Sequence, residues 1–218
     1  MNRRNFIKAA GIAGTTLVVR EGAGVLIKKN MKLNKRVVAL NGSPNERGNT
    51  AYALSLIGEE LEKESMDFEV IHIGDKRIRG CMGCYRCFET GGCVYITEQE
   101  QVWLDKMKRA DAIVLASPVY FGGIAGTMKS LLDRIFFAYS KEFRNKIGVS
   151  VVTARRSGAS VTFASLNQYF TISQMIIPSS VYWNNIHATV KEEIAEDKEG
   201  VRIMQMLGKN VAACLQRI

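Results

Sequence analysis

Four of the five cysteines fall close together, as Cys81-x2-Cys84-x2-Cys87-x5-Cys93. Thiolates are soft metal ligands, and four at this spacing suit a compact metal centre. Structural zinc more often takes two Cys-x2-Cys pairs separated by a dozen or more residues. In an oxidising compartment the same side chains would instead form disulfides. Cys214 stands apart among Val211, Ala212 and Leu215 and reads as a small buried hydrophobe. His72 and His187 read as structural.

A second chemistry is offered by Asn41-Gly42-Ser43-Pro44-Asn45-Glu46-Arg47-Gly48-Asn49-Thr50. This run leads from an apolar strand pattern directly into a helical one. A helix start presents unpaired N–H groups and the positive end of the dipole, which together favour a phosphate. Ser43, Asn49 and Thr50 add side-chain donors, Arg47 adds charge, and Gly48 lets the backbone approach closely. Neither GxxxxGK[ST] nor GxGxxG is present, which disfavours a nucleoside-triphosphate loop and a dinucleotide fingerprint. The plainer alternative is a strand–helix turn capped by Asn or Thr. Two further turns have suitable composition. In Ser117-Pro118-Val119-Tyr120-Phe121-Gly122-Gly123, Pro118 fixes the exit angle, the aromatics offer flat faces, and the glycines admit a planar ring. The third is Thr153-Ala154-Arg155-Arg156-Ser157-Gly158.

These turns need a frame. Strands are expected at Arg36–Leu40, Phe68–Ile73, Ala112–Ala116, Ile147–Thr153 and Met175–Val181. Four are continuous apolar runs, as in parallel strands buried on both faces; the second alternates and belongs at an edge. Helices are expected at Asn49–Lys63, Glu98–Ala110, Ala125–Tyr139, Ala159–Ser173 and about Glu192–Arg217. On the third, Met128, Leu131, Leu132, Ile135 and Phe136 form an apolar stripe, while Lys129, Asp133 and Arg134 read as surface residues that pair with one another or contact another subunit. Five strand–helix alternations imply an α/β/α sandwich around a five-stranded parallel sheet. The expected order is the flavodoxin-like 2-1-3-4-5, which opens the turns after strands one, three and four at its switch point.

GSPNERGNT, SPVYFGG and the following KSLLDR resemble the NAD(P)H-dependent FMN reductase group of the flavodoxin superfamily, over nearly all of residues 35–217. The resemblance implies FMN, with its phosphate at Ser43, Asn45, Asn49 and Thr50. It places the isoalloxazine against Pro118, Val119, Tyr120, Phe121, Gly122 and Gly123, with Thr153 to Gly158 closing over the ring. Relatives usually carry a basic residue where Asn45 stands; here the charge is at Arg47. The cysteine run is similar to the bacterial ferredoxin spacing and to the iron-sulfur flavoprotein branch of the same family. That implies a 4Fe–4S cluster on Cys81, Cys84, Cys87 and Cys93, passing electrons to FMN. The expected activity is FMN-dependent oxidoreduction with NAD(P)H as donor and no catalytic side chain. The alternative is an electron-transfer flavoprotein reduced by a protein or quinol partner. A homo-oligomer, dimer or tetramer, is implied by resemblance alone.

Composition bounds the rest. With 218 residues, 47% of them hydrophobic, the chain suits one domain over residues 31–218 behind a short leader. The net charge of +9 is concentrated at residues 1–30, where Arg3, Arg4, Lys8, Arg20, Lys28 and Lys29 oppose only Glu21. No basic stripe interleaved with aromatics remains for nucleic acid. No apolar run is long enough to span a bilayer. Arg3 and Arg4, followed by Phe6, Lys8 and the apolar run Ala9–Val19, resemble a twin-arginine export signal. This leads to the expectation of an exported, extracytoplasmic protein.

Overall fold

The structure is a computed structural model and describes residues 35–218. The leader expected over residues 1–30 lies outside the described residues. Strand β1 (Arg36–Asn41) leads into helix α1 (Asn49–Lys63) and edge strand β2 (Asp67–His72). A long loop holding the short α2 (Cys87–Thr90) precedes α3 (Glu98–Arg109), β3 (Ala112–Tyr120) and the two-residue β4 (Gly123–Ile124). Then follow α4 (Gly126–Tyr139), β5 (Ile147–Ala154), α5 (Ala159–Ile172), β6 (Asn185–His187) and α6 (Lys198–Leu215).

The main strands pair in the order β2-β1-β3-β5-β6, all parallel, and β4 folds back antiparallel on the end of β3. Counting the parallel strands alone, this is the flavodoxin-like 2-1-3-4-5 order. Alternation along the strands divides the core in two. Val38, Leu40, Ile113 and Leu115 pack beneath α3, α4 and α5, while Val37, Ala39, Val114 and Val149 face α1 and α6. Helices α1 and α6 meet closely at Gly208, where a β-carbon would lie 2.9 Å from the Ile57 carbonyl oxygen. Among the described residues no helix is long and apolar enough to cross a membrane.

Two elements differ from expectation. Met175–Val181 is not the fifth strand; Ile176 makes only an isolated bridge to Ile147, and the strand is Asn185–His187. Pro178 has no N–H to give a ladder, and the chain rejoins the sheet where Asn184 Nδ2 donates to the Ser150 carbonyl at 3.0 Å. The last helix starts at Lys198, after a 3-10 segment Lys191–Glu196. Asp197 sets that start by accepting from the Gly200 N–H at 2.9 Å.

Candidate functional site

The turns after β1, β3 and β5 open side by side at the switch point and enclose a cleft of about 390 Å³. Ser43, Asn45, Gly48, Asn49 and Thr50 form one wall, Pro118, Val119 and Tyr120 another, and Thr153 with Ala154 and Arg155 a third. The first turn is preorganised. The Asn41 side chain accepts from the Ser43 N–H at 3.0 Å, and Ser43 Oγ accepts from the Asn45 N–H at 3.2 Å. Asn45 Oδ1 in turn accepts from the Arg47 N–H at 3.2 Å. Behind it, Gly74 comes so close to the Ser43 backbone that a β-carbon would overlap it. Helix α1 begins at Gly48 with no side-chain cap, so the plainer capped-turn alternative does not hold. Asn49 Oδ1 is buried without a partner, an orphan that implies a missing polar ligand. Thr50 Oγ1 meets Thr153 Oγ1 at 2.9 Å in the buried floor, tying the first turn to the third.

The second turn ends in a hairpin. Tyr120 pairs with Gly123, leaving Phe121 (φ 48°) and Gly122 (φ 74°) as a two-residue turn. Positive φ at both positions matches the twist of a tight hairpin, but for a phenylalanine it is strained. The Phe121 ring is fully exposed beyond the cleft rim. Buried Ser117 anchors the base of this hairpin, accepting from the Ala125 N–H at 3.0 Å and donating to the Pro118 carbonyl at 2.8 Å. Gly158 (φ 88°) packs against the hairpin, where a β-carbon would lie 2.9 Å from both Gly122 Cα and Val119 Cγ1. Of the expected cofactor residues, Arg47, Phe121, Gly122, Gly123 and Gly158 do not line the cleft; Arg47 is exposed. Gly48, read from the sequence as a point of close backbone approach, does line the cleft, as do Ala154 and Arg155 of the third turn. Sequence reasoning missed Ala188, Thr189 and Val190, which follow the misplaced fifth strand.

The cysteine loop forms a separate site between β2 and α3. Cys81, Cys84, Cys87 and Cys93 are free thiols that line one pocket, together with Tyr95, Arg134 and Phe137. Its volume is about 20 Å³, room for roughly one water. Among the described residues no three His, Cys, Asp or Glu side chains converge as ligands of a metal ion. The donor set fits a thiolate centre, with the sulfurs spread around the pocket rather than gathered. Cys81 and Cys84 are exposed, so drawing them inward disturbs no core packing.

Helix α4 pins the far end of the loop. Tyr139 Oη accepts from the Cys93 N–H at 2.9 Å, and burial raises its phenol above the ordinary range. Arg134 corrects the surface reading. It is 4% exposed, ion-paired with buried Glu100, and donates to the Tyr95 carbonyl at 2.7 Å. Glu100 also closes the capping box of α3 with Thr97. Beside the pocket, exposed Tyr85 and Phe88 cluster with Phe137. Cys214 is half-buried against the α1–α6 side of the core. His72 lies 3.2 Å from Asp75, a partner three residues on that sequence reasoning passed over.

A model of the family described as NADPH-dependent FMN reductase matches residues 35–189, which takes in all three cleft turns and the cysteine loop. The chain belongs to the NADPH-dependent FMN reductase family. Within this flavodoxin-like FMN reductase family, it is 32% identical over 191 residues to an iron-sulfur flavoprotein of Methanocaldococcus jannaschii, covering 84% of this chain and 98% of that one. An iron-sulfur flavoprotein of Archaeoglobus fulgidus is 38% identical over 157 residues, covering 69% of this chain and 75% of its own. Solved structures agree on the fold. A flavodoxin from the domain Archaea superposes with a TM-score of 0.55 at 17% identity, over 84% of this chain and 99% of that one. A WrbA-like flavodoxin from Agrobacterium tumefaciens gives 0.56 at 15%, over 84% and 98%.

Proposed function

We propose that this member of the FMN reductase family is an FMN oxidoreductase that holds its flavin in the three-turn cleft and a 4Fe–4S cluster on Cys81, Cys84, Cys87 and Cys93. The observation that carries the flavin site is the uncapped start of α1, whose unpaired N–H groups suit a phosphate in a cleft on the switch point; the orphaned Asn49 Oδ1 beside it is an acceptor and suits a hydroxyl donor of the same ligand. The α1 N–H groups, with Ser43, Asn45, Asn49 and Thr50, bind the phosphate. Pro118 to Tyr120 and the backbone of the third turn border the ring, and Gly158 holds that turn on the hairpin. Bound FMN supplies two-electron or one-electron transfer, while the chain orients it and tunes it. The cluster reading rests on four free thiols around one pocket and on relatives named iron-sulfur flavoproteins. NAD(P)H is the proposed donor, as the family description suggests. Anaerobic stopped-flow mixing with NADPH tests this: rapid bleaching of the flavin is expected, and absence of reduction would overturn the donor.

A second reading is favoured by Arg3 and Arg4 in a basic leader. If the leader is a twin-arginine signal, the protein acts outside the cytoplasm as an electron carrier, and a protein or quinol partner reduces it. Slow NADPH reduction with fast reduction by a quinol would favour that reading.

The proposed homo-oligomer, a dimer or tetramer, is supported by a charge-free span. From Ser157 to Val190 the sequence has no Asp, Glu, Lys or Arg. This span presents Val161, Ile172, Ile176, Tyr182 and Trp183 exposed along and beyond α5. Two copies of a basic chain meet there without like-charge repulsion.

A further inference from the structure

We propose that Arg134 is a positioning residue of the cysteine site: its buried guanidinium holds the cluster's reduction potential up. The inference rests on the reading of Cys81, Cys84, Cys87 and Cys93 as cluster ligands. Arg134 is a permanent cation buried in the wall of the pocket those four cysteines line. Two of its nitrogens are engaged, one with the Tyr95 carbonyl and one with Glu100. Its Nε is buried and has no partner. A buried N–H donor left unspent implies an acceptor that the polypeptide does not provide. Thiolate and sulfide sulfurs at the pocket are acceptors of that kind.

The sign follows from charge. On reduction the site gains one electron and loses none, so it becomes one unit more negative. A fixed positive charge and an N–H donor at the sulfurs both stabilise the reduced form. Glu100 is ion-paired with Arg134, but it is not part of the pocket wall. It partly offsets the cation, so removing its charge acts in the opposite direction.

The test uses the full-length holoprotein and the Arg134→Gln and Glu100→Gln variants. Each is titrated anaerobically with dithionite in the presence of redox mediators. The reduced cluster is read by its low-temperature EPR signal, apart from the flavin's absorbance, and iron content and thermal unfolding are measured alongside. At a fixed ambient potential, Arg134→Gln is expected to lower the reduced-to-oxidised ratio by about tenfold, roughly 59 mV for one electron. Glu100→Gln is expected to raise it. Ratios within twofold of wild type in both variants, with iron retained, would overturn the proposal. So would shifts of the same sign in both, which would mark simple loosening of the loop. If Arg134→Gln does not fold, Glu100→Gln carries the sign alone: a rise supports the proposal, and no change or a fall overturns it. Wild-type protein without iron would instead sink the cluster reading on which the proposal rests.

Discussion

Thr50 and Thr153 are 103 positions apart, yet their hydroxyls meet at 2.9 Å beneath the cleft. Each was legible in the sequence as a polar residue in a functional turn. Their pairing was not, because it depends on the register that sets β5 beside β3 and β3 beside β1. Thr50→Val leaves the buried Thr153 hydroxyl unpaired, so a loss of about 1–2 kcal/mol in urea-unfolding stability is expected, with weaker FMN binding. Gly158 is a sharper case. An alanine there takes a positive φ and overlaps Gly122 and Val119. Gly158→Ala is expected to destabilise by about 1–3 kcal/mol and to weaken flavin binding in a fluorescence titration. Unchanged affinity would mean that the third turn does not hold the hairpin in place for the ring. Arg134 and Glu100 show the limit of local reading. On a helix wheel Arg134 looks like a surface partner of its neighbours, and only the docking of α3 against α4 reveals it as a buried ion pair.

At the level of elements, periodicity was a reliable guide wherever an apolar stripe met a clear cap or breaker. Helix α1 spans the expected residues, and α3 and α5 fall short of expectation only at their C-terminal ends. The fifth strand failed for a physical reason: the apolar composition of Met175–Val181 is also that of a segment covering the core, and Pro178 breaks its ladder. The β6 strand is only three residues long, Asn-Ile-His, too little pattern to detect. The Cys93 end of the cysteine loop hangs on Tyr139. Tyr139→Phe removes the acceptor of the Cys93 N–H, at a cost of about 1 kcal/mol. It is expected to speed iron loss to a chelator; an unchanged rate would show that the loop is held elsewhere.

Two phenols, buried Tyr139 and half-buried Tyr169, also give α4 and α5 a pH dependence. Burial raises Tyr139, and burial together with its hydrogen bond to Asp133 raises Tyr169 further. In the unfolded chain these phenols ionise near pH 10, roughly the value of free tyrosine. Their contribution is therefore full below that pH and is lost as pH rises through the folded values. The urea midpoint is expected to fall steeply above about pH 10, and less steeply in Tyr169→Phe. Equal slopes in the two proteins would contradict this.

For the whole molecule, the sheet order makes the cleft. Parallel strands on both sides of β1 send their crossovers to opposite faces, and the gap between those crossovers receives the turns after β1, β3 and β5. That much followed from alternating strand and helix patterns. The surface did not, since only the docking of α5 and the following segment decides which residues of the charge-free span from Ser157 to Val190 stay exposed and which enter the core. If the proposed oligomer forms through this span, Ile172→Lys is expected to shift it toward monomer in light scattering while leaving flavin content unchanged; an unchanged mass would place the interface elsewhere.

Two redox centres are proposed for one chain, a flavin at the switch point and a cluster in the cysteine pocket. The most direct measurement is anaerobic purification of the full-length chain, followed by an absorbance spectrum with FMN, iron and acid-labile sulfide assays. Stoichiometric FMN together with matched iron and sulfide is the expected result. Flavin without iron would contradict the second centre, and a colourless protein would contradict both.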